Sequence, residues 1–446
     1  MKKFFLFLLV AATLLTACSK RVSNQELYPF RENGKWGYIN QNGDVVIKPQ
    51  FEDAEDFVGD YATVLLDSSM LASQAKATHY RTPRWCIIDR YGKIQVGEEL
   101  GGNFCLRPVT ITTDGYAIAQ DYHYSGNDTV IWCWYIYHIK DSKISFNFSK
   151  YSVDNVYFES MEDLQRAGIL AFHDIDDGWG FMDLDGKVII EPQYFDFFGI
   201  QNGLISVMDK EGKYYLIDKT VAKTTTKQEY ESIVFTVGHN LFTTTIGDGF
   251  TFINSKGDVV SEQKFADVYD NFDDNGLIYV KVRVNDDFQY ALADTTGKIV
   301  IGPYDELSPE SEGLIKYGVG EYPEYKEGYI DNKGNIVIAP RFTHAGGFQE
   351  GLAWARVTEN DKYGYIGKNG EFVIQPKFET AYDFEKCGLA IVKNGDLYGV
   401  IDKTGKYILD PTYEGVKIYD TGMIHFRKDG KYGYANAQGK IVKSYL

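Results

Sequence analysis

The chain holds few residues whose types and spacing suit acid–base, nucleophilic or metal chemistry. Its histidines stand alone at positions 79, 123, 138, 173, 239, 344 and 425, without the H-E-x-x-H spacing that places two rings on one zinc ion. No G-x-S-x-G, P-loop or dinucleotide-binding fingerprint stands between a strand and a helix. We therefore predict that the protein is not an enzyme, and we assign it no catalytic residue.

Two acidic clusters come nearest to a metal site. The segments at 174–178 and 270–276 resemble loose calcium loops, but neither has the full EF-hand spacing with its final glutamate. Other parts of the chain carry ordinary turn residues at the corresponding place. Solvated turns are the favoured interpretation, so no metal and no cofactor are predicted. Two alternatives stay open: weak binding of a divalent cation, and a carboxylate pair for glycoside hydrolysis, which depends on separation in space.

Cys18 is the cysteine with a predicted chemical role. Lys2 and Lys3 precede an apolar stretch at residues 4–15, which suits a signal peptide and is too short to cross a bilayer. The sequence Leu15-Thr16-Ala17-Cys18 resembles the bacterial lipobox. This resemblance implies that the Cys18 thiol is acylated and becomes the new N-terminus. Two or three acyl chains anchor a protein stably, whereas one is marginal.

The lipobox divides the chain into a lipoprotein signal peptide at residues 1–17, a short tether at 18–25 and a folded body at 26–446. Ser19 follows the cysteine, and no acidic cluster comes after it. By resemblance, this implies sorting to the outer membrane of the cell envelope. We therefore expect the membrane to be a partner through the lipid anchor.

The charge of the chain excludes one class of partner. The formal net charge is −17, and removing residues 1–17 with their two lysines leaves 44 basic against 63 acidic residues, or −19. Such a surface repels phosphate backbones, because nucleic-acid binding depends on cations that displace counterions. No nucleic-acid partner is expected. Peripheral adsorption to an anionic leaflet is disfavoured for the same reason.

A repeated sequence unit organises the body. The segment GKWGYINQNGDVVIKPQF at 34–51 returns as DGWGFMDLDGKVIIEPQY at 177–194, KEGYIDNKGNIVIAPRF at 326–342, DKYGYIGKNGEFVIQPKF at 361–378 and DLYGVIDKTGKYILDPTY at 396–413. Weaker copies begin near Trp85, Tyr214, Phe250, Tyr290 and Tyr432. Such self-similarity predicts stacked units that bury one another's faces. We call the aromatic position before the first glycine of each copy, Trp36 in the first, the aromatic slot.

Each unit predicts three strands. Trp36–Ile39 alternates in strand periodicity, and an Asp/Asn-x-x-Gly sequence after it is typical of a type I turn with a glycine bulge. The aliphatic Val45–Ile47 forms the second strand, and Pro49 is predicted to end it because proline lacks a backbone N–H. Phe51 is predicted to fold back as a core anchor. A third strand follows a Gly-Leu signal, as at Gly388–Val392.

These features resemble a known family. Lys35-Trp36-Gly37-Tyr38-Ile39 and the tail [Asp/Asn]-x-x-Gly-x-Val-Ile-x-Pro-x-Phe look like the WG (KWG) repeat of bacterial proteins, here a lipoprotein, over about residues 26–446. The family implies a repeat fold and no common activity. Tryptophan keeps its glycine only at Trp36 and Trp179, and one copy carries Glu327 in the aromatic slot.

The stretch at 67–175 diverges most from the repeat. An insertion is predicted at Asp67–Pro83 and a short helix at Ser160–Gly168. Trp85, Trp132 and Trp134 are the tryptophans that packing explains least, so we hypothesise that binding specificity resides in this stretch. Its cysteines, at 86, 105 and 133, suit either a disulfide in an oxidising periplasm or buried thiols.

The predicted fold class is all-β: tandem three-stranded β-meander repeats that form a propeller-like ring or an open β-superhelix. Many shallow, similar faces suit binding better than catalysis, which needs one preorganised cavity. We predict a non-catalytic cell-envelope lipoprotein that presents a β-repeat surface to a protein or glycan, with the ligand-binding residues unknown. The alternatives are a carbohydrate-active enzyme or its accessory subunit, and a structural, cation-stabilised envelope spacer.

Overall fold

A computed structural model describes residues 25–66, 84–96, 107–111, 115–124, 130–140, 143–147, 153–157, 168–183, 185–201, 204–218, 223–224, 233–261, 263–269, 272–273, 275–285, 287–321 and 323–445. These residues form strands and turns, with no helix among them. Within the same ranges, no helix is long and apolar enough to span a membrane. The signal peptide, Cys18, the insertion at Asp67–Pro83 and, apart from Gly168, the predicted helix at Ser160–Gly168 lie outside the described residues.

The chain forms two compact units. Unit 1 comprises the chain up to Val156, Leu184–Lys187 and Met423–Leu446, and unit 2 comprises Tyr157–Asp183 and Val188–Gly422. The strands of unit 1 are β1 (Tyr28–Glu32), β2 (Lys35–Ile39), β3 (Val45–Phe51), β4 (Asp53–Ala54), β5 (Tyr61–Leu66), β6 (Arg84–Asp89), β7 (Ile94–Val96), β8 (Arg107–Ile111), β9 (Tyr116–Tyr124), β10 (Val130–His138), β11 (Lys143–Asn147), β40 (Ile424–Lys428), β41 (Lys431–Ala435) and β42 (Ile441–Tyr445).

Unit 2 holds most of the remaining strands, with β12 (Val153–Tyr157) at the boundary. They are β13 (Ile169–Asp174), β14 (Gly178–Asp183), β15 (Val188–Tyr194), β16 (Asp196–Gln201), β17 (Leu204–Met208), β18 (Tyr214–Asp218), β19 (Lys223–Thr224), β20 (Ile233–Gly238), β21 (Leu241–Ile246), β22 (Gly249–Asn254), β23 (Asp267–Tyr269), β24 (Leu277–Val284), β25 (Asp287–Asp294), β26 (Ile299–Tyr304), β27 (Glu306–Ser311), β28 (Leu314–Val319), β29 (Lys326–Asp331), β30 (Ile336–Phe342), β31 (His344–Ala345), β32 (Ala353–Arg356), β33 (Tyr363–Ile366), β34 (Phe372–Phe378), β35 (Thr380–Phe384), β36 (Leu389–Asn394), β37 (Leu397–Asp402), β38 (Tyr407–Tyr413) and β39 (Gly415–Ile418).

The sheets are small antiparallel meanders in which each strand pairs with the next one along the chain. The sheets β23–β26, β27–β30, β31–β34 and β35–β38 show the full pattern, and β1–β3 shows a three-stranded form. The tandem all-β repeat and its three predicted strands are thus confirmed. The Gly-Leu strand, however, lies in the sheet of the next copy, where it pairs with the aromatic-slot strand, as β32 pairs with β33. Sheets such as β27–β30 and β31–β34 begin with a further strand that was not predicted, six residues long in β27 and two in β31.

The predicted turn chemistry is present in several repeats, although the turn after β33 begins with Gly367 instead of an aspartate or asparagine. In the turn after β29, Asp331 Oδ1 accepts hydrogen bonds from the backbone N–H of Lys333 (2.9 Å) and Asn335 (2.8 Å). Gly334 has a φ of +81° and donates to the Asp331 carbonyl oxygen. An aspartate or asparagine therefore fixes the hairpin that joins the aromatic-slot strand to the aliphatic strand. We call this the Asx turn.

The prediction that proline ends the second strand was wrong. Strand β30 continues through Pro340 to Phe342, and the pairing shifts register between Glu327↔Phe342 and Tyr329↔Ile338. This strand stands last in its sheet, and an edge strand tolerates a residue without an N–H. The residue two positions after the proline is a core anchor as predicted, since Phe51, Phe342 and Phe378 are buried.

The hydrophobic core lies between successive sheets. One cluster joins Tyr329 and Phe342 of one sheet to Ala345 and Phe348 of the next. In addition, the tyrosine two residues after the aromatic slot donates its hydroxyl to a backbone carbonyl seventeen residues later: Tyr38 to Glu55, Tyr329 to Gly346, and Tyr365 to Tyr382. Packing and a directed hydrogen bond therefore set each sheet against its neighbour.

Within unit 1, the two ends of the chain meet in the same way. Tyr434 donates its hydroxyl to the Pro29 carbonyl oxygen at 2.8 Å. Lys443 Nζ lies 3.2 Å from Glu32 Oε1. The Tyr445 ring packs edge-on against Trp36, with the ring centroids 6.4 Å apart. The last repeat therefore contacts the first as one repeat contacts the next.

Candidate functional site

The strand register places one residue from each strand of a sheet in a line across it. In β31–β34 this line runs His344, Arg356, Tyr363, Phe378. The same positions are Thr380, Lys393, Tyr398, Tyr413 in β35–β38, and Asp267, Lys281, Tyr290, Tyr304 in β23–β26. We call this line the cross-strand row. Its third member is the aromatic slot, so the sequence repeat becomes a repeated feature of the sheet surface.

A cation lies over the aromatic slot in several rows. Lys393 Nζ is 4.8 Å from the Tyr398 ring centroid, Arg356 Cζ is 5.0 Å from that of Tyr363, and Lys281 Nζ is 5.7 Å from that of Tyr290. Each such contact is worth about 0.5–1 kcal/mol at an exposed site. In unit 1, Arg427 lies over Tyr432 in the same way, at 5.9 Å. The row thus presents an aromatic ring and a positive charge together.

The aromatic slot is less buried than the tyrosine two residues after it. Tyr38, Tyr329 and Tyr365 are fully buried. The slot itself is half-buried at Trp36 and Trp179. The Trp179 ring packs against Phe197 with centroids 4.7 Å apart and against His173 with centroids 5.1 Å apart. Residues in the aromatic slot therefore lie at the boundary between the core and the surface.

One sheet departs from the aromatic pattern. In β27–β30 the row reads Glu306, Gly318, Glu327, Phe342, so a carboxylate fills the slot and the cation is missing from the second position. Lys316 supplies the charge from two residues earlier, with its Nζ 2.9 Å from Glu327 Oε1 and 3.1 Å from Glu306 Oε1. Tyr325 fills the space over Gly318 and donates its hydroxyl to Glu306.

The buried carboxylate of this sheet has hydrogen-bond donors for both oxygens. Glu327 is 4% exposed, its Oε1 faces Lys316, and its Oε2 accepts the backbone N–H of Ala345 at 2.6 Å. Burial alone would lower the pKa of Lys316, but the carboxylates of Glu327 and Glu306 raise it above its usual value. Burial would likewise raise the pKa of Glu306, but the Tyr325 hydroxyl and Lys316 hold it below its usual value. Glu306, Lys316 and Glu327 therefore form an ionic network in which every charged group has a partner.

The tryptophans of the divergent stretch are only partly described. Trp85 lies in β6, pairs in register with Leu65 and is half-buried in an aromatic slot. Trp132 and Trp134 lie in β10, where their backbones pair with Tyr122 and Gln120 of β9. Their side chains, Cys105 and the insertion at Asp67–Pro83 lie outside the described residues. The hypothesis that this stretch holds specificity stays a prediction.

The acidic clusters serve as turns where they are described. Asp174 Oδ1 accepts the backbone N–H groups of Asp176 and Asp177, both at 3.0 Å. Asp273 Oδ1 accepts those of Asn275 and Leu277. Over the part of the chain that the structure describes, no three His, Cys, Asp or Glu side chains converge to hold a metal ion.

The histidines in the described ranges have local packing contacts. His173 packs on Trp179 with ring centroids 5.1 Å apart, and His344 Nε2 lies 3.2 Å from Glu359 Oε1. Cys86 is buried in the core cluster of the first two sheets. His344 is itself the first member of the β31–β34 row, and His173 pairs in register with the slot residue Trp179.

Sequence reasoning missed the cations of the rows. Arg31, Lys393 and Arg427 each stand five residues before an aromatic slot, across a tight turn, so that spacing could have identified them. Lys281 pairs with Tyr290 across a longer hairpin, where only the register reveals the pair. Lys316 and Tyr325 carry no sequence signal, because they compensate for Glu327 in three dimensions.

Tandem small sheets with a repeated cross-strand row define a β-repeat protein. A family model described as "WG containing repeat" matches residues 36–68, 179–214, 328–363, 363–398 and 398–432. These five segments are therefore WG repeats, as the sequence predicted. No curated protein matches it in a sequence search.

Several solved structures match the chain at low similarity. One is a computationally designed protein, Ika8, at 10% identity and a TM-score of 0.28, covering 66% of this chain and 96% of that one. A eukaryotic initiation factor matches at 10% identity and a TM-score of 0.39, covering 73% and 94%. BamB from Moraxella catarrhalis matches at 12% identity and a TM-score of 0.25, covering 76% and 90%.

Proposed function

We propose that this protein is a non-catalytic, lipid-anchored component of the cell envelope that binds a protein or glycan through its cross-strand rows. The lipobox-like Leu15-Thr16-Ala17-Cys18 supplies the anchor, and the sorting residue Ser19 favours the outer membrane. The body then works at the membrane surface without a cofactor and without contact to nucleic acid.

The observation that carries the proposal is the repetition of a cation beside an accessible aromatic ring. The rows of β23–β26, β31–β34 and β35–β38 each offer one such pair, within a protein whose net charge is −17. Aromatic rings supply contact area at low entropic cost, and cations orient an acidic or hydroxyl-rich partner. Several similar contacts of this kind suit an extended partner, because binding at one row raises the effective concentration of the partner at the next row.

Affinity capture with residues 20–446 as bait, run beside a glycan array, tests this function. The double variant Lys281→Ala, Lys393→Ala removes two row cations. Lys298→Ala, Lys333→Ala removes the same charge from two exposed Asx-turn lysines. We expect the row variant to lose about tenfold or more in affinity, the scale of a hot-spot contact, and the turn variant to bind as wild type.

If both variants bind the partner with equal affinity, the cross-strand rows do not form the binding surface. Turnover of a polysaccharide by the same protein would support the alternative of a carbohydrate-active enzyme. A melting temperature that rises sharply with calcium, with no captured partner, would support the alternative of a structural spacer.

A further inference from the structure

Contacts with the first two repeats hold Gln25 in place at the N-terminal side of the folded body. Asn40 Nδ2 donates to Gln25 Oε1 at 3.2 Å, so Gln25 lies beside the Asx turn of the first repeat. The Arg90 guanidinium donates to the Gln25 carbonyl oxygen, to the Gly59 carbonyl oxygen at 2.7 Å and to Asp60 Oδ1 at 2.9 Å. Arg90 is only 9% exposed, so a buried side chain holds Gln25 in place.

Three repeats bring their Asx-turn ends together around Gln25. A Cβ on Gly43, in the first turn, would lie 2.5 Å from the Val442 carbonyl oxygen of the last repeat. A Cβ on Gly92, in the second turn, would lie 3.0 Å from Ile47 Cγ2 of the first repeat. The last, first and second repeats are therefore in contact in that order, all within unit 1.

Each of these ends exposes one large apolar side chain. Tyr91 is 56% exposed, Ile441 51% and Val45 43%. Exposed Lys93 and Lys440 follow the turn glycines of the second and last repeats. We call Val45, Tyr91, Lys93, Lys440 and Ile441 the exit face.

Nearby carboxylates are already engaged. Asp89 Oδ1 accepts the backbone N–H groups of Tyr91 and Lys93, and its Oδ2 accepts Gln95 Nε2. Asp60 pairs with Arg90, and Asp44 accepts Asn40 Nδ2 at 3.1 Å. Asp44 and Asp89 keep their charges and offset those of Lys93 and Lys440, and Asp60 is paired with Arg90, so these groups sum to about zero, whereas the whole chain has a net charge of −17.

We propose that the exit face docks on the lipid surface into which the acyl chains of Cys18 insert. The inference rests on the proposed lipid anchor and adds an orientation to it. The residues from Ser19 to Gln25 span at most about 25 Å when extended, so they hold the exit face within reach of the headgroups. Tyrosine and lysine beside aliphatic side chains suit that interface, where rings sit at headgroup level and ammonium groups meet phosphates.

The connection to Cys18 points to the membrane as the partner of the exit face. Exposed aliphatic side chains also occur in unit 2 at equivalent positions, such as Ile336 and Val373. Their position alone does not indicate what they would contact. Only the exit face has Gln25 held beside it, and Gln25 follows Cys18 closely in the sequence. Free adsorption of so acidic a protein is disfavoured, but a tether supplies an effective concentration in the millimolar range, at which a weak contact is populated.

Fluorescence quenching in the lipidated full-length protein tests the docking. Tyr91→Trp places a reporter on the exit face. Tyr432→Trp places one on another exposed tyrosine of unit 1, at the end of β41 far from its Asx turn. The vesicles contain phosphatidylethanolamine and phosphatidylglycerol with acyl chains brominated near the headgroup. The six native tryptophans are common to both variants, so their contribution cancels. We expect quenching at position 91 to exceed that at position 432 about twofold or more.

Two measurements distinguish failure of the lipid anchor from failure of the docking. Mass spectrometry of the N-terminal peptide reports acylation of Cys18; an unacylated cysteine overturns both the anchor and the docking. Acylation with equal quenching at the two positions overturns the docking alone. Hydrogen exchange of the wild-type protein on the same vesicles needs no substitution: slower exchange at Asp89–Lys93 than in the unanchored Cys18→Ala protein supports the docking, and equal exchange refutes it.

Discussion

At the scale of single residues, the glycine after the aromatic slot is explained by close approach of two backbones. A Cβ on Gly37 would lie 2.5 Å from the Ile47 carbonyl oxygen and 2.6 Å from Pro49 N. Gly328 and Gly399 have the same neighbours in their own repeats. The register shift in the proline-containing strand presses that strand onto the glycine. These glycines stand inside strands, unlike Gly334, which stands in a turn with positive φ.

Gly364→Ala tests this explanation. The new Cβ would collide with the Ile374 carbonyl oxygen and lie 2.8 Å from Pro376 N, neither of which can move without breaking the strand pairing. We expect the free energy of unfolding to fall by about 1–3 kcal/mol, the range for overpacked sites. Urea denaturation followed by circular dichroism measures it.

Gly347→Ala is the matched control, since its Cβ would meet Ser311 Cβ at an ordinary 3.6 Å. Its expected change is within about 0.5 kcal/mol. A Gly364→Ala protein as stable as this control would show that the strands can separate at no cost, and the close-approach explanation would be wrong.

At the scale of strands and sheets, sequence patterns predicted the features that depend on local chemistry. The Asp331-x-x-Gly334 turn was predictable because a side chain caps its own turn and the glycine has positive φ. Strand alternation located β29 and β30. The short strand β31 was not predictable, because its pairing with β32 arises only after the edge strand passes Pro340 and redirects the chain.

The candidate site divides in the same way. The aromatic slots could be read from the repeat, and some row cations could have been read from their spacing. The network of Glu327, Lys316 and Tyr325 could not, because each substitution makes sense only beside the others in space. The glutamate occupies an aromatic position, the lysine comes from a different row, and the tyrosine covers Gly318.

Glu327→Gln tests whether this network stabilises its sheet. Glutamine keeps the shape of the side chain but removes the charge that Lys316 faces at 2.9 Å in a buried setting. Loss of one partner from a buried ion pair costs about 3–5 kcal/mol, and we expect the lower part of that range because Glu306 also pairs with Lys316. Chemical denaturation measures the loss.

The control for this prediction is Glu371→Gln. Glu371 lies 3.4 Å from Arg341 in an exposed pair, for which the expected change is below about 1 kcal/mol. Equal, small losses in the two variants would mean that Glu327 is solvated in solution and that the network contributes no more than a surface pair.

At the scale of the molecule, similar contacts join neighbouring repeats within each unit and also join the two ends of unit 1. Gly370 lies against the Ile338 side chain and Gly92 against that of Ile47, while Gly43 lies against the backbone carbonyl of Val442. The hydroxyl bond from Tyr434 to Pro29 matches the one from Tyr365 to Tyr382 in distance, at 2.8 Å. One rule of packing therefore serves consecutive repeats and repeats at opposite ends of the sequence.

Tyr434→Phe and Tyr365→Phe test that rule as a pair. Each removes one hydroxyl and leaves a carbonyl oxygen short of a donor, so each should lower the free energy of unfolding by about 1 kcal/mol. Their local effects should differ. The Tyr434 bond joins residues 405 positions apart, so its loss should speed hydrogen exchange at Tyr28–Glu32 and Ile441–Tyr445. Tyr365→Phe should leave both segments unchanged. Unaltered exchange there in the Tyr434→Phe protein would mean that Lys443, Tyr445 and Val442 hold the ends together without the hydroxyl.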